Sequence, residues 1–192
     1  MGRSRPLTTL LPLPPFLASL PFLAFLLFLA ACGAADPPPP NVLLISLDTL
    51  RVDRLGCYGS AAGLTPELDT LAAGATRWER CTATAPWTVP SHASMFTGLY
   101  PHAHGAHSFE PVSARVDNVW TLAEEHETLA EVLAAEGYAT GAVVANVAYL
   151  GPALGLSQGF EDWSLSRERA PRINKEALQW IDRVPEGRPW ML

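Results

Sequence analysis

The chain has 192 residues, 48% of them hydrophobic and 17% charged, with a formal net charge of −6. That length supports one domain with its own core, and the composition excludes intrinsic disorder. The negative charge, with no basic cluster anywhere, excludes nonspecific nucleic-acid binding.

Residues 1–31 read as an export signal. Arg3 and Arg5 make a short positive region, and Phe16–Ala31 is apolar or small except for Ser19, with Pro21 as its one breaker. The tetrad Leu29-Ala30-Ala31-Cys32 looks like a bacterial lipobox, which implies lipidation of Cys32. An ordinary secretory signal and an uncleaved anchor are the other readings of the same run. Residues 32–40 form a tether, stiffened by Pro37–Pro40 into an extended conformation. The expected location is the bacterial cell envelope, lipid-anchored, on the periplasmic or extracellular face. Export permits a disulfide between Cys57 and Cys81, but two cysteines in a domain of this size are more often small buried side chains.

The domain proper is expected over 41–192. Asn41–Leu47 (NVLLISL) is short, branched and nearly all apolar, which predicts a buried parallel strand ending at Asp48. Thr65-Pro66 opens a helix with Leu68, Leu71 and Ala72 on its apolar face and Gly74 at its end. Thr76–Thr82 (TRWERCT) predicts another strand. A short helix follows over Ser91–Phe96, ending near Gly98, with Thr88 just ahead of it. Tyr100–Asn118 reads as loop. Leu129, Val132 and Leu133 mark a helix over about Thr128–Glu136, stopped by Gly137. Tyr138–Ala145 (YATGAVVA) predicts a strand, and Asn146–Ser164 a glycine-containing loop. Ile173, Ala177, Trp180 and Ile181 mark a helix, and Arg188–Leu192 begins a further apolar run.

Alternating strands and helices imply an α/β fold, a mostly parallel sheet flanked by helices. The final Trp190-Met191-Leu192 reads as a strand cut short, so the chain is expected to be incomplete at its C-terminus.

Three stretches carry a resemblance: SLDTLRVDRLGCYG from Ser46, TPELDTLAAGATRWERCTATAP from Thr65, and WTVPSHASMFTGLYPHAHG from Trp87. In this order and spacing they resemble the N-terminal half of the sulfatase family, within the alkaline phosphatase superfamily. The resemblance implies an alkaline-phosphatase-like fold and a metal-dependent hydrolase of sulfate or phosphate esters. It implies that Asp48 is a metal ligand and that Thr88 occupies the nucleophile position, where standard sulfatases have a cysteine or serine matured to formylglycine. Pro90 and Ser91 match the motif that the maturation system reads. His104 followed by Gly105 also matches, and implies a residue framing the pocket mouth.

The departures from that pattern carry chemical information. Oxidising the secondary alcohol of Thr88 would give a ketone, so a hydrated aldehyde is out of reach and the residue would react as an alkoxide. Metal coordination is one way to activate such a hydroxyl. Thr49 stands where the family often has a second aspartate, which implies a metal site of Asp48, Thr88 and Thr49. His92 replaces an arginine and is the candidate partner of Thr88 in catalysis. Val144-Ala145-Asn146-Val147 replaces Gly-Lys-Trp-His, removing two cations that normally hold sulfate. A threonine nucleophile is the pattern of the superfamily's phosphodiesterases and phospho-group transferases.

Each residue also has a plain structural reading. Asp48 and Thr49 could cap a turn, Thr88 a helix, and His92 could lie on a helix surface. Ser91 is expected to cap its helix or to bind substrate with His104, and Trp87 to pack as a wall. His102, His104 and His107 read as a pocket rim rather than a zinc site, and Arg51 and Arg54 as solvated charges or anion contacts. The expected cofactor is a divalent ion: calcium by the family, zinc or manganese by the threonine. The expected partners are a sulfate- or phosphate-ester substrate and, through the lipid anchor, a membrane. The competing expectation is a catalytically inactive fragment, or a ligand-binding envelope lipoprotein of the same fold.

Overall fold

The computed structural model describes residues 37–107 and 120–192. The readings of Arg3, Arg5, the apolar run to Ala31 and Cys32 lie outside the described residues, as does most of the second half of the predicted 100–118 loop. The chain divides into two units, Met1–Pro38 and Pro39–Leu192, and the second holds everything below. Among the described residues no helix is long and apolar enough to cross a membrane.

Three parallel strands form the sheet: β1 (Ala139–Val144), β2 (Asp162–Leu165) and β3 (Trp190–Met191), in the order β2-β1-β3. Gly141 pairs with Asp162 on one side of β1, and Ala139 with Trp190 on the other. The chain near Val42 adds one more parallel neighbour beyond β3, through Val42 N–H to Trp190 O (2.8 Å), Leu192 N–H to Val42 O (3.0 Å) and Leu44 N–H to Leu192 O (2.8 Å).

The helices are α1 (Pro66–Ala73), α2 (Thr88–Thr97), α3 (Pro101–His104), α4 (Leu129–Ala135) and α5 (Ala170–Ile181). Helix α4 starts on a capping box: Thr128 Oγ1 accepts from Glu131 N–H (3.2 Å), and Glu131 Oε2 accepts from Thr128 N–H (2.8 Å). Period-2 alternation then sends successive side chains of the sheet to opposite faces. Ala139, Val143, Trp190 and Leu192 pack against Ala177, Trp180 and Ile181 of α5. On the other face Val144 and Trp163 pack against Val89, Ala93, Leu150, Leu154 and Leu156. Gly141 is required by close approach: a Cβ there would strike the indole of Trp180, whose Nε1–H donates to Asp162 at 2.8 Å. Helix α2 ends on Gly98 in the left-handed conformation, φ 70°.

Four sequence expectations change. The loop predicted from Tyr100 opens with α3, a short helix started by Pro101 and ended by Gly105 in the left-handed conformation. Asn41–Leu47 pairs in parallel only in its first half, and it is exposed rather than buried, with Ile45 at 69% and Leu47 at 52%. Val42 packs against Ala130, Tyr138 and Met191, whereas Leu43, Leu44, Ile45 and Leu47 stay exposed. Thr76–Thr82 is not a strand. Its groups are spent on the turn at 56–58 instead: the Arg77 guanidinium donates to Cys57 O and lies 5.1 Å from the Tyr58 ring centroid, and Tyr58 O–H donates to Trp78 O. The predicted loop after Asn146 ends in β2, whose short, half-polar stretch gives no apolar run to find. Cys57 and Cys81 are both free thiols.

Candidate active site

Asp48 lies just past the carboxyl end of the 41–47 segment, in a tight turn closed by Leu50 N–H to Leu47 O at 3.3 Å. Thr49 takes the third place in that turn with φ 60°, a left-handed conformation that a β-branched residue adopts only under strain. Its hydroxyl has no hydrogen-bond partner among the described residues. Across from the turn, Trp87 is extended and caps α2, so Thr88 is the first helical residue rather than the one ahead of the helix. Pro90 sits in the first turn, where a missing N–H costs nothing.

These placements converge on the carboxylate of Asp48. Thr88 Oγ1–H donates to it, 3.2 Å from Oδ2 and 3.4 Å from Oδ1. Asn146, two residues beyond β1, donates from Nδ2 to Oδ2 at 2.6 Å. Asn146 Oδ1 accepts from Tyr149 N–H (3.1 Å), which fixes the orientation of its amide. The pattern pointed at Asp48 and Thr88 but not at Asn146. The signal available was positional: Asn146 follows a strand just as Asp48 does, and ligands of open α/β sheets gather at carboxyl ends. The positive end of α2 faces the same spot and favours an anion there.

His92 is not placed to touch a substrate. It is 6% exposed, and both ring nitrogens are engaged. Nδ1 lies 2.9 Å from Thr88 O, a pure acceptor, so Nδ1 carries the proton. Nε2 then accepts from Ser46 O–H at 3.1 Å. The expected catalytic histidine is a connector between α2 and the 41–47 segment.

His104 is likewise corrected from pocket rim to core. It is 1% exposed. Ala106 N–H donates to its Nδ1 at 3.1 Å, which leaves the proton on Nε2 to reach Ser94 Oγ at 3.0 Å. Burial holds its pKa below the usual histidine value, and a backbone hydrogen bond with Pro90 opposes this only in part. Ser91 is the fourth residue of α2 and does not cap it; its N–H donates to Trp87 O at 3.3 Å. Trp87 packs against the core and meets Tyr149 edge-on, as a wall. Arg51 pairs with Asp53 in solvent at 2.8 Å. His102 stacks on Tyr100 and His107 on Trp120.

A divalent cation is tested by the donors present. Asp48 and Thr88 offer hard oxygen atoms close enough for one ion, which fits calcium, manganese or zinc in kind. No group of three His, Cys, Asp or Glu that could hold a metal occurs among the described residues.

Comparison with known proteins agrees with this architecture. The family model described as Sulfatase matches residues 40–168. Arylsulfatase A of Homo sapiens is 40% identical over 111 residues, 58% of this chain and 21% of that protein. Steryl-sulfatase of Mus musculus is 37% identical over 145 residues, 74% of this chain and 22% of that protein. The chain therefore spans about a fifth of the length of these relatives. A protein solved in complex with its substrate D-glucosamine-2-N,6-O-disulfate shares the fold, with TM-score 0.64 and 21% identity over 79% of this chain and 33% of that one. The phosphonate monoester hydrolase of Agrobacterium radiobacter matches with TM-score 0.54 and 27% identity, over 78% of this chain and 30% of its own. With more than half of its length under one family model, this chain belongs to the sulfatase family.

Proposed function

We propose that the protein cleaves sulfate or phosphate esters by covalent catalysis at Thr88, as part of a lipid-anchored enzyme of the bacterial cell envelope. The observation that carries this is the Thr88 hydroxyl, 3.2 Å from Asp48 at the mouth of α2. A nucleophile, a carboxylate and a helix N-terminus meet at one sheet edge. Asp48 and Thr88 would hold a divalent cation, calcium or else zinc or manganese, which supplies Lewis acidity to the hydroxyl and charge to the substrate when bound.

The residues of this chain then have defined tasks. Thr88 Oγ1 attacks the sulfur or phosphorus in line with the leaving oxygen. Its proton passes to water by way of Asp48, which is open to solvent. The new oxygen–sulfur or oxygen–phosphorus bond forms as the ester bond breaks, and the alcohol leaves with a proton from water. The partial positive charge at the start of α2 stabilises the equatorial oxygens. Water then hydrolyses the threonine ester.

The relatives support sulfate esters. The threonine, which gives no aldehyde, and the 27%-identical phosphonate monoester hydrolase support a phosphoryl group. The protein is incubated with an aryl sulfate and with an aryl phosphodiester, quenched in acid, and the Thr88 peptide is weighed. A sulfuryl or phosphoryl adduct on Thr88, absent with Thr88→Ala, is expected. Turnover undiminished in Thr88→Ala would overturn the mechanism. The short donor set among the described residues favours a second reading, a ligand-binding envelope protein without chemistry. Saturable ester binding with neither adduct nor turnover is its signature.

A further inference from the structure

The segment that carries Asp48 has an unusual way of being held. Its last ladder bond to the sheet is Leu44 N–H to Leu192 O. From Ile45 through Leu50, among the described residues, the backbone makes no hydrogen bond outside the segment; its one bond is the internal Leu50 N–H to Leu47 O. Packing does not hold it either, since Ile45, Leu47 and Leu50 are 69%, 52% and 43% exposed. Asp48 nevertheless sits within hydrogen-bond distance of Thr88.

Three side-chain links account for this. Two come from α2: His92 Nε2 to Ser46 Oγ (3.1 Å), and Thr88 Oγ1 to Asp48. One comes from the end of β1, Asn146 Nδ2 to Asp48 Oδ2 (2.6 Å). Both supports outside the Asp48–Thr88 pair are themselves braced. The ring of His92 is 6% exposed, meets Phe96 edge-on and is bonded to Thr88 O. The amide of Asn146 is bonded to Tyr149 N–H. Neither could serve as well if left free, because an unbraced rotamer spends its bond on water.

We propose that His92, acting through Ser46, and Asn146 are the two positioning residues that hold Asp48 against Thr88. His92 fixes the approach of the strand end from the helix side, and Asn146 fixes the carboxylate from the sheet side. The bond from Asn146 runs to an ionised acceptor and is short, which places it among the stronger hydrogen bonds of proteins. Because Nδ2 donates, Asn146 orients the carboxylate without competing for a cation. This assignment rests on the proposed pairing of Asp48 with Thr88 for its catalytic meaning, but not for its geometry.

The test therefore has one arm that needs no activity. Arg51 and Arg54 are exposed trypsin sites just beyond the segment, and their cleavage at native pH reads its local opening. Ser46→Ala, His92→Leu and Asn146→Ala are each expected to speed cleavage after Arg51 and Arg54 by about ten-fold or more, with a global unfolding transition that moves little. His92→Gln, which can still bond Ser46, should recover most of the protection lost in His92→Leu. The ring nitrogens of His92 supply a second readout. NMR should show the Nδ1–H tautomer, and the Nε2 resonance should shift on Ser46→Ala. Unchanged cleavage in Ser46→Ala and Asn146→Ala, or the Nε2–H tautomer in the unmodified chain, overturns the assignment. With an active ester, the same variants should lower kcat and leave KM nearly constant. Faster cleavage with no ester turned over by any form would retain the positioning and sink only the proposed catalysis.

Discussion

His104 offers the sharpest separation of a structural from a substrate-binding residue. Replacing it by phenylalanine keeps the volume and removes both ring nitrogens. Ala106 N–H and Ser94 Oγ then lose their partners at 3.1 and 3.0 Å. Ala106 is 0% exposed and Ser94 7%, so water has no ready access to either. A buried polar group left unsatisfied costs about 1–3 kcal/mol. Two of them, with some relaxation of the serine rotamer, should cost about 3 kcal/mol. For a chain of this length each kcal/mol moves the Tm by roughly 2–4 °C, so His104→Phe should lower it by about 6–12 °C in calorimetry. The pH dependence adds a second constraint. Burial lowers the His104 pKa in the folded chain, so the unfolded chain binds more protons over the window between the lowered value and the ordinary one. Stability then rises with pH across that window and is lost as pH falls from near the ordinary histidine value through the lowered one. This contribution should vanish in His104→Phe, flattening the acid side of the Tm profile. A Tm within about 2 °C of the unmodified protein would refute the reasoning, and a raised KM at unchanged Tm would return His104 to the pocket rim.

Two other expectations test the scaffold and the anchor. Gly141→Ala drives a methyl into the Trp180 indole; overpacking and a weakened bond to Asp162 should together cost about 2–4 kcal/mol, read as a lowered Tm, and an unchanged Tm would show that α5 does not press on β1. Cys32→Ser should move the protein from the membrane to the soluble fraction of expressing cells, and unchanged membrane retention would rule out lipidation as the anchor.

The parts of the fold legible in sequence were those with long-period patterns. The strand at 138–145 and the helix marked by Ile173, Ala177, Trp180 and Ile181 came from the residue pattern alone, and the structure has them as β1 and α5. The convergence of Asp48 and Thr88 came from the resemblance to the sulfatase family rather than from any pattern in the residues themselves. What stayed hidden depended on partners. The 41–47 run has the composition of a buried strand, but burial is set by what covers it, and composition holds no information about that. Thr76–Thr82 has strand-like residues without a neighbouring strand to bond. Strand β2 is four residues with one aromatic, too short to leave a period. His92 and His104 look alike as reactive residues in a site motif. Their roles are decided by Ser46, Thr88, Ser94 and Ala106, three of which are local in sequence and would have supported a core reading. Asn146 drew notice only as a place where cations were missing.

That missing charge bears on the chemistry. A site built for a dianionic group usually surrounds it with fixed cations, whereas here the groups that meet Asp48 are a hydroxyl and an amide, both neutral. Among the described residues, the positive character at Thr88 comes from the helix terminus, equivalent to roughly half a charge. Asp48 opposes it with a full negative charge 3.2 Å away. An anionic ester approaching Thr88 from the side of Asp48 is repelled; one approaching along the helix axis is attracted. The Thr88 O–H bond points at Asp48, so the hydroxyl lone pairs are turned away from the carboxylate. Attack, repulsion and attraction therefore select the same direction. A group carrying one negative charge, as a sulfate monoester or a phosphodiester does, meets less opposition from Asp48 than a phosphate monoester carrying two. The prediction that separates these is an ordering of binding to the metal-free chain: a phosphodiester should bind more tightly than the monoester of the same alcohol, and added salt should narrow the gap by screening Asp48. A tighter-binding monoester would place compensating cations around Thr88 and remove the helix terminus as the principal anion seat.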